Sequence, residues 1–172
     1  MLADLERTLP QIWEWMRETV ARHEHHVVSV ERYGFRRLAR CFSGPTLQSA
    51  RVVEVDGLVP RPPLRAMGLS AFADFEDLDL AGITFGQTYF LKRENASQEI
   101  LHFHELVHVV QWAQLGPLAF LGLYAQGLVE HGYADSPLEQ MAYRLQGRFM
   151  QQEDCFDAES ETIRELGLLP GR

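Results

Sequence analysis

The chain has 172 residues, a net charge of −8 and 46% hydrophobic residues. This length is typical of one domain, and we expect residues 1–172 to form a single domain. The apolar content excludes a disordered chain. The negative charge argues against nonspecific nucleic-acid binding, which requires a basic surface.

The cysteines and the apolar stretches bear on the compartment. Two cysteines, Cys41 and Cys155, are too few for a disulfide framework and favour a reducing cytosol. The N-terminus carries acidic residues early and has no uninterrupted apolar core, so it is not typical of a secretory signal. The longest apolar stretch, residues 117–129, is too short to span a bilayer. We therefore expect a cytoplasmic protein without stable membrane insertion, and the sequence leaves its oligomeric state open.

The first half of the chain predicts two helices and one strand. Residues 2–24 carry apolar residues at helical spacing, and a second helix is expected around residues 29–41. Residues 50–59 predict a strand followed by a turn at Asp56 and Gly57.

Three histidines, His23, His25 and His26, lie at the end of the first predicted helix. We expect them to be solvated side chains near the helix C-terminus, where positive charge is favoured. A metal site or a pH-sensitive site is the alternative interpretation.

The second half of the chain predicts one strand and a series of helices. The acidic residues 70–81 predict a loop. Residues 82–91 are rich in β-branched and aromatic side chains and predict a strand, in which Gly86 indicates a bulge or a close backbone approach. Helices are predicted over about residues 97–115, 118–131, 136–152 and 157–167. The predicted fold class is α+β, mostly helical with a small sheet, with the first of these helices packed against the others.

That first helix contains the sequence HELVH at residues 104–108, which fits the HExxH zinc pattern. Residues four apart on a helix differ in direction by about 40°, so His104 and His108 can bind one ion together. Glu105 is rotated by about 100° and can accept a proton from a metal-bound water, whose pKa zinc lowers to about 7. Apolar residues surround the motif, so we expect a buried helix that binds Zn²⁺. A chance pattern without a metal is the alternative.

The third metal ligand has to come from another part of the chain. The metzincin pattern would place glycine and histidine where this chain has Gln111 and Gln114, so that class is excluded. The alternative is a carboxylate from a later helix. The downstream candidates are Glu130, His131, Asp135 and Glu139.

We favour Glu139, because it lies near the start of a helix after enough chain to return to the histidines. The competing interpretation of Glu139 is that it caps the start of its own helix. Ser136, Pro137 and Glu139 fit a capping box, in which the glutamate would bond back to the backbone amide of Ser136.

Several further side chains are candidates for the site or for the core. His102 is roughly 160° from His104 on the helix and is expected to be a core histidine. Gln111 falls on the face of the motif histidines and is expected to line the site. Tyr133 and Tyr143 can stabilise a developing oxyanion, with simple packing as the alternative.

Three segments, GITFGQTYFL, ILHFHELVHVVQ and SPLEQMAY, resemble a gluzincin-type zinc metallopeptidase domain. More narrowly, they resemble small bacterial metallopeptidase-like domains of toxins associated with contractile injection systems. The resemblance covers about residues 80–145. It implies that His104 and His108 are zinc ligands, that Glu105 is the general base and that Glu139 is the third ligand. It also implies that residues 83–90 form an edge strand that pairs with an extended peptide substrate.

The chain departs from the gluzincin pattern at one position. Many gluzincins have an acid four residues after the third ligand, bound to a zinc histidine, and this chain has Tyr143 there. A phenol can form a hydrogen bond but cannot supply the same charge.

Two functions from different classes follow from these features. The first is a zinc-dependent metallopeptidase that hydrolyses a peptide or protein substrate through a metal-activated water. The alternative is a catalytically weak or inactive zinc-binding module that acts through protein partners. A fourth protein ligand, such as His131 or Asp135, would favour the binding module, and an open coordination position would favour the enzyme. Hydrolysis of a non-peptide amide is a third interpretation.

Overall fold

The computed structural model describes residues 2–151 and 156–168, apart from the side chains of residues 2–4. The strands are β1 (Val27–Ser29), β2 (Arg51–Val55), β3 (Gly82–Phe85) and β4 (Thr88–Lys92). The helices are α1 (Leu2–Arg22), α2 (Leu38–Cys41), α3 (Gly44–Ser49), α4 (Ala73–Asp77), α5 (Glu99–Leu115), α6 (Pro117–His131), α7 (Pro137–Gln151) and α8 (Ala158–Leu166). Short 3-10 turns cover Glu24–His26, Val30–Tyr33, Ser70–Phe72 and Arg93–Asn95. Mostly helical with one small sheet, these elements confirm the predicted α+β class.

The sheet has the strand order β1-β2-β4-β3. Strands β2 and β4 pair in parallel, while β1 and β3 pair antiparallel with their neighbours. Val52 and Val53 of β2 and Tyr89 and Phe90 of β4 are fully buried. Because successive strand residues point to opposite faces, both faces of these two central strands are covered.

Residues 82–91 form a hairpin and not the single strand that their composition predicts. Gly86 adopts a φ of +66°, and the pairing of Phe85 with Thr88 leaves a two-residue turn. Glycine enters this left-handed region without a steric penalty, so it turns the chain there. Of these two strands, only β3 lies at an edge of the sheet, since β4 lies between β2 and β3. The prediction of one edge strand with an open face over residues 83–90 is therefore wrong for its second half.

Two other predicted segments also differ from the structure. The helix expected over residues 29–41 is interrupted by a 3-10 turn that ends at Gly34 with a φ of +66°, and only Leu38–Cys41 is α-helical. The loop expected over residues 70–81 contains a 3-10 turn and α4. Buried Phe72 and the ion pair between Arg65 and Glu76 hold that segment against the protein.

Helix α5 lies at the centre of the molecule and is buried from His102 to Trp112. It packs against α7, α8 and α6 and against β3, which confirms the expected packing of the motif helix against further helices. Helix α1 packs on α6, and Trp13 of α1 contacts Trp112 with ring centroids 5.4 Å apart. Within the described ranges, no helix is both long enough and apolar enough to cross a membrane.

Candidate metal centre

Side chains from α5 and α7 form a compact cluster of metal-binding groups. His104 and His108 lie one turn apart on α5, and Glu139 lies in the first turn of α7. One ligand atom from each lies within 4.8 Å of the others. The two Nε2 atoms are 3.1 Å apart, and the Glu139 oxygens lie 3.3 Å and 3.4 Å from them. All three residues are at most 5% exposed, so the structure contains a buried group that can bind a metal ion.

Gln111 orients the imidazole of His108. The Gln111 Nε2 donates a hydrogen bond to the backbone carbonyl of Leu138 at 3.0 Å, so its Oε1 faces the other way and accepts from His108 Nδ1 at 2.8 Å. Because an amide oxygen only accepts, His108 carries its hydrogen on Nδ1. In this tautomer the lone pair of Nε2 points into the cluster, as metal binding requires. The expected position of Gln111 at the site is thus confirmed.

Gln146 occupies the equivalent place beside His104. Its Oε1 accepts a hydrogen bond from His104 Nδ1 at 2.9 Å. Tyr143 packs its ring against His104 with centroids 4.8 Å apart. Gln146 lies one helical turn beyond Tyr143 on α7. Both cluster histidines are therefore oriented by neutral amides.

Glu139 has one satisfied and one unsatisfied carboxylate oxygen. The Tyr124 hydroxyl donates to Oε1 at 2.6 Å, whereas buried Oε2 has no hydrogen-bond partner among the described residues. Burial alone raises the pKa of this carboxyl, but His108 and His104 lower it overall to well below its usual range. A buried anionic oxygen without a donor is costly. This oxygen and the Nε2 atoms of His104 and His108 form a donor set that fits a metal cation.

The pKa of His108 reflects the same concentration of negative charge. Burial alone lowers this pKa, but the carboxylates of Glu139 and Glu105 and the hydrogen bond with Gln111 together outweigh burial and raise it to about 9. A metal ion at Nε2 therefore competes with a proton for one lone pair.

The capping-box interpretation of Glu139 does not describe the start of α7. The Ser136 backbone carbonyl accepts from Gln140 N at 2.9 Å, as expected for the residue before a helix. The Ser136 hydroxyl, however, is buried and has no hydrogen-bond partner within residues 2–151 and 156–168. The carboxylate of Glu139 faces the two histidines and not its own helix start.

Glu105 lies beside the cluster and is held by strand β3. It is 3% exposed, and the Thr84 hydroxyl donates to its Oε2 at 2.6 Å. A Cβ atom added to Gly82 would lie 2.4 Å from Glu105 Oε1, so glycine is needed where β3 passes the carboxylate. Burial raises the pKa of Glu105, although His104 and His108 lower it in part. Glu105 thus flanks the metal group without belonging to it.

The two candidate tyrosines lie next to this cluster. Tyr133 lines the cavity that adjoins Glu139. Burial raises the pKa of Tyr133 and, less strongly, that of Tyr143, so both phenols are protonated donors. Tyr143 is 41% exposed and also packs on His104.

The other downstream ligand candidates lie away from the cluster. Glu130 and His131 are exposed and contact each other, with Oε2 and Nε2 3.6 Å apart. Asp135 is exposed and accepts a hydrogen bond from Gln140 at 3.2 Å. Within the described part of the chain, the metal group has three protein ligands and none of these side chains is a fourth.

The remaining histidines also lie outside the metal group. His102 is fully buried, its Nε2 donates to the Ala96 carbonyl at 2.8 Å, and the Tyr89 hydroxyl donates to its Nδ1 at 2.8 Å. Burial lowers its pKa, so it is neutral, as expected for a core histidine. His23 contacts the Thr19 carbonyl through Nδ1 at 2.8 Å. His25 and His26 are exposed, as expected for solvated side chains.

Sequence reasoning missed four residues that shape the centre: Gly82, Thr84, Tyr124 and Gln146. Tyr124 is a single phenol on an otherwise apolar helix, which is a weak signal for a buried polar partner. Gln146 follows Glu139 by two helical turns on the same face, which is a stronger signal. Gly82 and Thr84 carry no local signal, because their role depends on how β3 packs against α5.

A cavity of about 80 Å³ opens directly onto His104, Glu105, His108 and Glu139. Apart from this end, its walls are mostly apolar and come from α1, residues 62–80, β3 and α6. The metal group therefore faces an internal space and not a highly exposed surface.

Comparison of the chain with protein-family models, with curated proteins and with solved structures found no match.

Proposed function

We propose that His104, His108 and Glu139 bind a zinc ion and that the protein is a zinc-dependent peptidase. The observation that carries this proposal is the convergence of three buried ligand atoms, with the Glu105 carboxylate beside them and a cavity in front. Two imidazoles and one carboxylate are a donor set typical of catalytic zinc sites that keep one position open. The lack of a fourth ligand among the described residues supports an open position.

Each residue of the centre has a chemical role in this proposal. Zinc, when bound, supplies Lewis acidity that polarises a carbonyl and acidifies a water. Glu105 accepts a proton from the attacking water and later donates it to the leaving amine. The Thr84 hydrogen bond fixes the direction of this carboxyl. Tyr133 offers a hydroxyl donor to the oxyanion from the cavity wall.

The structure narrows where an extended peptide can pair with the sheet. β3, Gly82–Phe85, is the edge strand next to the metal group, and its Thr84 contacts Glu105. In the proposed enzyme, backbone pairing with a peptide is therefore restricted to these four residues and does not extend along residues 83–90.

A zinc-binding interaction module without catalysis is the second candidate. It is favoured by the burial of the ligands, of which His104 and His108 are 5% exposed and Glu139 is 2% exposed. In such a module the metal stabilises the packing of α7 on α5, and Glu105 has no chemical task.

The substitution Glu105→Gln separates the two functions. Gln keeps the shape and the hydrogen bond with Thr84 but cannot accept a proton, so we expect zinc binding to persist and hydrolysis to fall by about 10²–10⁴-fold. The measurements are zinc content and cleavage of a broad peptide library. Glu130→Gln, an exposed residue of α6, is the matched control and should keep full activity. A zinc-loaded wild type that cleaves no peptide would favour the module, and a Glu105→Gln variant that loses zinc would make Glu105 a ligand.

A further inference from the structure

The cavity at the metal group has one polar end and an apolar body. We name this space the apolar chamber. The polar end consists of His104, Glu105, His108 and Glu139. The body includes Leu9, Ile12, Phe72, Leu80, Leu121 and Ala125. A pocket with a few polar groups at one end orients a ligand whose polar group binds there and whose apolar part fills the body.

The walls of the apolar chamber are part of the protein core and not a loose surface. Leu9 and Ile12 of α1 are 8% and 5% exposed, and Phe72 and Ala125 are 5% and 9% exposed. The α1 and Phe72 walls lie outside the region that resembles a metallopeptidase, so this chain builds them with its own N-terminal half. An enclosed apolar space binds ligands by removing their apolar surface from water.

The volume of the apolar chamber limits what it can hold. A dry cavity of about 150 Å³ lined by aliphatic and aromatic side chains binds benzene. The apolar chamber, at about 80 Å³, has roughly half that volume. It suits a short branched aliphatic group and is too small for a phenyl ring without movement of its walls.

We propose that the apolar chamber is a substrate subsite for a short aliphatic group, of the size of a valine or leucine side chain. This inference rests on the proposed function, because the metal group at the polar end would bind the reacting amide. It adds that Leu9 of α1 and Ala125 of α6 limit the size of the accepted group.

Hydroxamic acids test this subsite without any turnover, because they bind zinc through one end and carry a chosen group at the other. Calorimetry with the zinc-loaded protein compares acetohydroxamic, isovalerohydroxamic and benzohydroxamic acid. We expect isovalerohydroxamic acid to bind at least about tenfold more tightly than acetohydroxamic acid, because it buries three more carbons. Benzohydroxamic acid should not share this gain. Equal affinities for all three, or tightest binding of the phenyl compound, would overturn the proposal.

Two substitutions move the size limit in opposite directions. Leu9→Ala enlarges the apolar chamber, so benzohydroxamic acid should gain affinity over wild type. Ala125→Leu fills it, so isovalerohydroxamic acid should fall to the level of acetohydroxamic acid. The matched control is Leu47→Ala in α3, since Leu47 is 7% exposed but does not line the chamber. This control should keep the wild-type order of affinities, and the same shifts in the control would overturn the proposal.

An experiment without metal tests the subsite independently of the proposed zinc-dependent function. Dissolved xenon enters small apolar cavities without a metal. We expect a saturable ¹²⁹Xe chemical-shift change with wild-type protein that Ala125→Leu abolishes and Leu47→Ala retains. If the protein binds xenon in this way but takes up no zinc, the proposed function fails while the apolar chamber remains. If wild type gives no saturable shift, the subsite is overturned whatever the metal result.

Discussion

Two faces of one helix hold buried histidines in opposite ways. On one face of α5, His102 uses both ring nitrogens, one on the Ala96 carbonyl and one on the Tyr89 hydroxyl. On the other face, His104 and His108 bond through Nδ1 to an amide oxygen of Gln146 and of Gln111. Their Nε2 atoms point at each other and at Glu139.

This comparison shows that burial alone does not separate a core histidine from a ligand. All three α5 histidines are at most 5% exposed. What differs is the partner of the second ring nitrogen, since His102 bonds a core hydroxyl there, while Nε2 of His104 and of His108 faces other metal-binding side chains. Glu139 adds a second difference, because its carboxylate lies beside His104 and His108 and not beside His102.

The largest effect is expected from removing one histidine from each face of α5. We expect His108→Ala to weaken zinc binding by more than about 100-fold, because a direct ligand matters more than its hydrogen-bond partners, which are worth 10- to 100-fold. His102→Ala should leave zinc affinity near wild type but lower the free energy of unfolding of the metal-free protein by about 2–4 kcal/mol. Chelator-competition titration and urea unfolding measure the two effects. Equal zinc affinity in both variants would remove the distinction between the faces.

Gln111 keeps the hydrogen of His108 on Nδ1, which is the tautomer that can bind a metal ion through Nε2. Gln111→Leu keeps similar volume but leaves Nδ1 of His108 and the Leu138 carbonyl without their partner. We expect zinc affinity to fall by about 10- to 100-fold while the ligands themselves remain. Gln126→Leu on the exposed side of α6 is the control and should change nothing in the same titration. An unchanged affinity for Gln111→Leu would mean that the amide does not orient the ligand.

The smallest expected effect concerns the start of α7. Ser136→Ala should change the free energy of unfolding by less than about 0.5 kcal/mol, because the Ser136 hydroxyl has no hydrogen-bond partner to lose among residues 2–151 and 156–168. Asp157→Ala is the matched comparison, since Asp157 accepts from the backbone amide of Ser160 at 2.9 Å and caps α8. Its loss should cost about 1 kcal/mol. Thermal or urea unfolding distinguishes the two, and equal losses would restore the capping role of Ser136.

The elements that sequence predicted best are those with long, uninterrupted helical patterns. Helices α1, α5, α6, α7 and α8 begin and end within about two residues of their predicted bounds. The structure also places His104 and His108 side by side as their spacing predicts, because a helix fixes the geometry of residues four apart. The position of the Glu139 side chain was harder to predict, since its local sequence also fits a capping box at the helix N-terminus. Only the packing of α7 against α5 turns its carboxylate toward the histidines.

The errors fall where one residue decides between two structures or where a contact is long-range. Gly86 converts an apparently continuous strand into a hairpin, and Gly34 ends a turn within a predicted helix. The hydroxyls of Thr84 and Tyr124 approach Glu105 and Glu139 from elements distant in sequence. Such partners are set by tertiary packing, and periodicity carries no information about them.

The central claim is that Glu139 completes a metal site with the two histidines of the motif. Its most direct test is the zinc affinity of Glu139→Ala, measured beside wild type and beside Glu130→Ala, an exposed glutamate outside the cluster. We predict that Glu139→Ala binds zinc more than about 100-fold more weakly, while Glu130→Ala binds it as wild type does. An affinity for Glu139→Ala within about twofold of wild type would contradict the claim. Even the loss of a hydrogen-bond partner of a metal ligand weakens metal binding by more than that.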